Sequence, residues 1–196
     1  TLPLGHTLGS AHDLHDGRRN AFLRRGADAD PGRRRGHGRD LRALLTAAGL
    51  EPRTLPGGTG LVCDVGRGQR CVALRADIDA LPLHESTGLP FASKVKTQWG
   101  GESVGVMHAC GHDMHTTALL GACALLDASR SSWSGTFLAL FQPAEESSVG
   151  AKDMLADNLI ERVPRPDICL GQHIMPGRAG TGDDDVLLGG GHLGTP

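Results

Sequence analysis

The 196 residues are enough for one domain of ordinary size, or for one domain and a fragment of another. A net charge of -2, 21% charged residues, 3% aromatics and no tyrosine provide neither a charge bias toward nucleic acid or a membrane surface nor a stacking platform for bases. Five cysteines without a Cys-x-x-Cys pair argue against a disulfide framework or zinc ribbon and for a reducing, cytoplasmic setting; no apolar run approaches membrane-spanning length, and the N-terminus lacks a secretory apolar segment.

Residues 1–39 are rich in arginine, including the run Arg33-Arg34-Arg35, among Gly, Asp, His and Pro. Hydrophobic periodicity is absent, so this stretch reads as a solvated, disordered tail in preference to a basic arm for nucleic acid or anionic lipid. Shifted-frame sequence in place of a helical N-terminus is a further hypothesis, which resequencing the gene would decide.

From Asp40 the pattern changes. Leu41, Leu44, Leu45 and Ala48 lie at helical spacing, with Gly49 as a stop. Residues 60–65 and 71–75 read as strands joined by the Gly66-Arg67-Gly68 turn, and Asp77 and Asp79 follow the second. A looser stretch from His84 to Val106 leads to His108-Ala109-Cys110-Gly111-His112-Asp113-Met114-His115. Ala118, Leu119, Ala122, Leu125 and Leu126 then form a helical stripe suited to lying on a sheet. Residues 135–141 are an apolar strand of the kind buried on both faces, ending in Gln142-Pro143-Ala144-Glu145-Glu146. A shorter helix over Val149 to Ile160 precedes a last strand, Asp167 to Gly171, with His173 at its exit. Strands alternating with helices predict an α/β layered domain. The division is 1–39, 40–176, and a glycine-rich tail 177–196.

Three imidazoles, a thiol and a carboxylate between His108 and His115 are hard to explain as core packing. They suit a divalent transition ion: zinc, manganese, nickel or cobalt. Residues i and i+2 share a face in extended chain but not in a helix, so Cys110 and His112 can point together if Gly111 loosens a turn into a helix. Asp77 and Asp79, Glu145 and Glu146, and His173 each sit beyond an apolar strand, where ligands gather in open α/β sheets. Adjacent glutamates point to opposite sides in extended chain, so one can hold an ion while the other faces substrate as general base. That is a hydrolase design.

Residues 40–176 resemble the metal-binding half of the M20 metallopeptidase family, in its amidohydrolase branch of hippurate hydrolases, N-acyl-amino-acid amidohydrolases and auxin-conjugate amidohydrolases. The matching pieces are 58–61, Leu74-Arg75-Ala76-Asp77-Ile78-Asp79-Ala80-Leu81-Pro82 and Met107-His108-Ala109-Cys110-Gly111-His112-Asp113, then Gly135-Thr136, Phe141-Gln142-Pro143-Ala144-Glu145-Glu146, Gly150-Ala151 and His173. The resemblance implies a partial catalytic domain with a mixed sheet flanked by helices. It implies metal ligands Cys110, His112, Glu146 and His173, one or two divalent ions per site, and Glu145 as catalytic acid/base. Asp77 and Asp79 would be supporting carboxylates, and the reaction hydrolysis of the amide of a small N-acyl amino acid or similar conjugate.

There are departures. The family's Leu-His-x-x-Pro-Glu-Leu segment is absent. The lid, which in complete members usually makes the homodimer, and the return that supplies a last histidine are missing. Gly190-Gly191-His192-Leu193-Gly194-Thr195-Pro196 resembles the start of the lid but arrives early, so His192 is a candidate substrate contact set against a flexible-tail histidine. Weak or absent turnover by this chain is therefore expected.

The rivals are a metal-binding remnant without turnover and a serine hydrolase using Ser103 in Gly101-Glu102-Ser103-Val104-Gly105. The second is disfavoured because 94–100 makes no convincing strand. A structural zinc module is disfavoured because the candidate ligands are dispersed. Cys63, Cys71, Cys123 and Cys169 read as buried thiols, His84 as core or loop, and Trp99 and Trp133 as loop residues without a role. His108 and His115 read as support for the cluster, not ligands.

Overall fold

The computed structural model describes residues 37–174. The basic segment up to residue 36, the glycine-rich tail and His192 lie outside the described residues. Helix α1 (His37–Ala47) begins inside the stretch read as irregular. Its apolar spacing buries Leu41 and Leu45, and it closes as Gly49 N–H donates to Thr46 O and Leu50 N–H to Leu45 O, the paired bonds of a glycine-terminated helix.

The described residues contain seven strands in chain order: β1 (Arg53–Thr54), β2 (Leu61–Arg67), β3 (Cys71–Asp77), β4 (Lys96–Trp99), β5 (Glu102–Gly105), β6 (Gly135–Gln142) and β7 (Ile168–Gly171). Five form one mixed sheet in the order β1-β2-β6-β3-β7. Strands β2 and β3 are neighbours in sequence, yet β6 lies between them, antiparallel to β2 (Val65↔Phe137) and parallel to β3 (Leu74↔Ala139). Strand β7 runs parallel to β3 (Ala73↔Cys169). The carboxyl ends of β3, β6 and β7 thus open on one edge of the sheet.

Helices cover both faces, as a strand buried on both sides requires. Helix α2 (His112–Ala128) joins α1 on one face, where Leu41, Leu45, Leu119 and Cys123 pack on Leu61, Cys63, Ala139 and Phe141. On the other face, helices α3 (Gly150–Ala156) and α4 (Leu159–Arg162) place Met154 and Leu159 against Val62, Ala73 and Leu138. The alternation along β2 and β6 divides these two clusters. Leu125 is 72% exposed and does not belong to the buried stripe of α2. The helix expected over 149–160 is two, because Asn158 takes a left-handed conformation at φ +62°. Among the described residues no helix is long and apolar enough to cross a membrane.

The stretch read as loose between His84 and Val106 contains a hairpin, β4 and β5, closed by Gly100-Gly101. Trp99 ends β4. Ser103 lies within β5 opposite Gln98, and the strand–turn–helix elbow a serine nucleophile needs is not there. Trp133 packs on the core and donates its indole N–H to Leu126 O at 2.9 Å.

Candidate metal centre

Four chain segments meet at the shared edge. Strand β3 ends at Asp77, whose carboxylate is fully buried. One Asp77 oxygen accepts from Arg75 at 2.8 Å and the other from His115 Nδ1. Two residues on, Asp79 accepts from Glu146 N–H at 3.0 Å with one oxygen and from His112 Nδ1 at 3.2 Å with the other. Its main-chain oxygen accepts from His108 Nδ1 at 2.9 Å and from His112 Nδ1 at 3.1 Å. A bridge between Leu81 and Met107 ties this segment to the turn that carries Cys110.

That turn feeds α2 through Gly111, which caps the helix at φ +74°, a conformation side chains rarely take. The helix then places His112 and His115 three residues apart on its sheet-facing side, both 1% exposed. From the β6 end come Glu145 and Glu146, and from the β7 end comes His173.

Among the described residues, all three groupings of possible ligand atoms include His112. Cys110, His112 and Glu146 offer atoms within 4.8 Å of one another; so do Asp77, His112 and Glu145, and so do His112, His115 and His173. The key atom is His112 Nε2, which is buried without a hydrogen-bond partner. With Nδ1 donating to Asp79, Nε2 carries the lone pair. It lies 3.6 Å from Asp77 Oδ2, 3.7 Å from Glu145 Oε2 and 3.9 Å from Glu146 Oε1. Those separations are too long for hydrogen bonds. Two ligands each about 2.1 Å from a tetrahedral ion stand roughly 3.4 Å apart, so the spacing suits a shared cation.

Charge tells the same story. A hydrogen bond to Glu146, burial, and the charges of Glu146, Glu145 and Asp79 push the Cys110 thiol up to about 11. Burial opposes charge on His112, but the bond to Asp79 and the charges of Asp77, Asp79 and Glu146 outweigh it and raise its pKa. An anionic cluster that raises the pKa of both a thiol and an imidazole has a local deficit of positive charge. The sulfur, nitrogen and oxygen donors fit a divalent ion.

The profile of peptidase family M20/M25/M40 matches residues 73–188, which take in most of β3, the cluster and the β6 and β7 exits. The chain belongs to that family. Among similar proteins, an N-acetyl-L-cysteine deacetylase of Bacillus subtilis is 42% identical over 138 residues, 69% of this chain and 30% of that protein. A hippurate hydrolase of Campylobacter jejuni is 44% identical over 122 residues, 61% of this chain and 29% of that protein. A protein of Rhodococcus jostii named as a putative glutamate–cysteine ligase is 47% identical over 127 residues, 64% of this chain but 15% of its own length. A solved M20 structure, a dinuclear metal-binding peptidase of Bacillus subtilis, superposes with a TM-score of 0.70 at 33% identity, over 84% of this chain and 43% of that one. The chain spans under a third of the length of these curated relatives.

Two participants were only partly legible in the sequence. His115 reads there as support for the cluster, and its spacing from His112 puts both rings on one helix face. Its ring centroid lies 5.6 Å from that of His112 and 4.7 Å from that of His173. Ile174, whose main chain touches both His115 and His173, carried no signal at all.

Proposed function

We propose that this chain is the metal-binding part of an amidohydrolase that cleaves the amide bond of N-acyl amino acids or related conjugates. The observation that carries the reading is the orphaned, buried His112 Nε2 facing carboxylates from two strand ends. In this reading Cys110, His112, Glu146 and His173 hold a divalent ion, whether manganese, zinc, cobalt or nickel. Asp79 orients His112 and the Glu146 main chain, and Asp77 orients His115. The bound ion supplies Lewis acidity and a water acidic enough to react near neutral pH.

Glu145 is the acid/base. Its Oε2 lies 3.7 Å from His112 Nε2, and its side chain is 37% exposed, so it reaches solvent and substrate alike. It takes the proton as water oxygen adds to the amide carbonyl, then gives it to the leaving nitrogen as the C–N bond breaks. Its partner carboxylate, Glu146, is fixed by the Asp79 bond to its main chain. The named activities of the relatives, on N-acetylcysteine and hippurate, support a small N-acyl amino acid as substrate, and five unpaired cysteines support a cytoplasmic setting.

The carboxylates of Glu145 and Glu146 are partly open to water, and a wet site weakens every electrostatic contribution to catalysis, so turnover by the 196-residue chain is expected to be slow. The test combines calorimetry with an assay on N-benzoylglycine and N-acetyl amino acids. Expected are ion binding lost in Cys110→Ser and Glu146→Ala, chelator-sensitive hydrolysis, and in Glu145→Gln binding without hydrolysis. Binding without any hydrolysis by the parent chain would mark a metal-binding remnant. Binding indifferent to Cys110→Ser and Glu146→Ala would end the metal assignment itself.

A further inference from the structure

His173 stands two residues beyond β7, past the last rung of the sheet, yet it faces the buried imidazoles. We propose that His115 is a positioning residue that holds His173 in the metal centre through the Ile174 peptide, and is not itself a ligand. This rests on the reading of Cys110, His112, Glu146 and His173 as the ligand set.

The contacts form a relay. Asp77 is fully buried, pinned by Arg75 at 2.8 Å and by Thr116 Oγ1, which donates to its main-chain oxygen at 3.1 Å. A carboxylate can only accept, so His115 Nδ1 carries the hydrogen between them. His115 Nε2 is then an acceptor, and it receives Ile174 N–H at 2.9 Å. The same residue's carbonyl oxygen receives His173 Nδ1–H at 2.6 Å. Both main-chain groups of Ile174 are therefore spent on imidazoles, one fixing the backbone and the other fixing the His173 tautomer. The lone pair of His173 is left on Nε2, the atom a ligand role requires.

The Ile174 side chain locks the same place. It lies over Gly111, where an added Cβ would fall 2.4 Å from Ile174 Cδ1. A residue 45% exposed gains little from burial alone, so this contact serves position more than core. If His115 turned its Nε2 to an ion, Ile174 N–H would lose its acceptor and the His173 exit its anchor.

The experiment uses the full chain labelled with nitrogen-15. Long-range proton–nitrogen spectra of the ion-free protein report the histidine tautomers and the order of the His173 ring. Cobalt(II) titration follows, read by absorption. His115→Asn keeps a donor near Asp77 but removes the acceptor for Ile174; His115→Gln puts an acceptor back at the ε position. Thermal melts establish that each variant folds. In His115→Asn the His173 signals are expected to shift and broaden, and cobalt affinity to fall about ten- to a hundredfold, the usual effect of losing a residue that orients a ligand. His115→Gln is expected to recover most of both. Unchanged His173 signals and affinity in His115→Asn would overturn the proposal. If the parent chain binds no cobalt, the ligand reading falls, while the ion-free His173 signals still decide the positioning role.

Discussion

Asp79 connects two segments with one carboxylate, taking His112 Nδ1 on one oxygen and Glu146 N–H on the other. Burial alone would raise its pKa, but these bonds and the charge of His112 hold it below the ordinary 3.8, while His112 is held above the ordinary 6.5. The Asp79 contribution to stability is present above 3.8 and is lost as pH falls through its lowered value. The His112 contribution is complete below 6.5 and is lost as pH rises through its raised value. In chelator, the melting temperature of the parent should exceed that of Asp79→Asn most at about pH 5 to 6, with the gap closing toward pH 9 and toward pH 2. A gap that widens steadily to pH 9 would contradict the pairing. Thiols give a second prediction at this scale. Burial pushes Cys63 up to about 11 and Cys123 up to about 12, so native alkylation at pH 8 should leave both unmodified by mass spectrometry until urea unfolds the chain. Cys110 differs in cause. Because Glu146 heads the influences that raise it, Glu146→Ala should lower its pKa and speed its alkylation several-fold.

The turn after β6 shows how an element presents a site. Ala144 and Ser148 both take left-handed conformations, at φ +54° and +57°, and the two glutamates lie between them. The strain is held by what closes the turn: Val149 and Gly150 N–H both donate to Ala144 O, and Gly150 lies against Pro143. A Cβ on Gly150 would fall 1.6 Å from Pro143 O, a main-chain atom that cannot swing aside. Gly150→Ala should therefore destabilise by more than about 3 kcal/mol in urea titration, beyond the usual cost of an added methyl, because the turn itself must move. Loss of ion binding should accompany it. A variant within 1 kcal/mol of the parent, on the order of an ordinary surface change, would show that the turn is pliable. This element also marks what sequence can reveal. Pro143 and the paired glutamates announced a strand end with chemistry on it, and Gly111 announced a turn into α2. The left-handed Ala144 and Ser148 had no sequence sign, because they are imposed by closure against Gly150 and not by local preference. Asn158 was readable in principle, since asparagine tolerates that conformation, but the apolar spacing of Met154, Leu155 and Leu159 runs through it and conceals the break.

Across the whole molecule, what was legible depended on range. The apolar runs disclosed β2, β3, β6 and β7, and their polar ends disclosed the edge where the site lies, because both are local patterns. The insertion of β6 between β2 and β3 was not legible, since strand order is set by which faces must be buried together across the 57 residues that separate β3 from β6. That order leaves β7 at one end, paired with β3 alone among the described residues. A parallel edge with free main-chain groups is a template for another strand, and Ile168 on it is 46% exposed without a charged neighbour inside β7. The chain at tens of micromolar should accordingly show concentration-dependent dimers by sedimentation velocity. Ile168→Lys places a charge on the edge and should return it to monomer. Ile160→Lys, at a position 51% exposed on α4 and outside β7, controls for the loss of apolar surface in general and should leave association unchanged. Equal suppression by the two substitutions would assign the association to scattered apolar surface and clear the β7 edge.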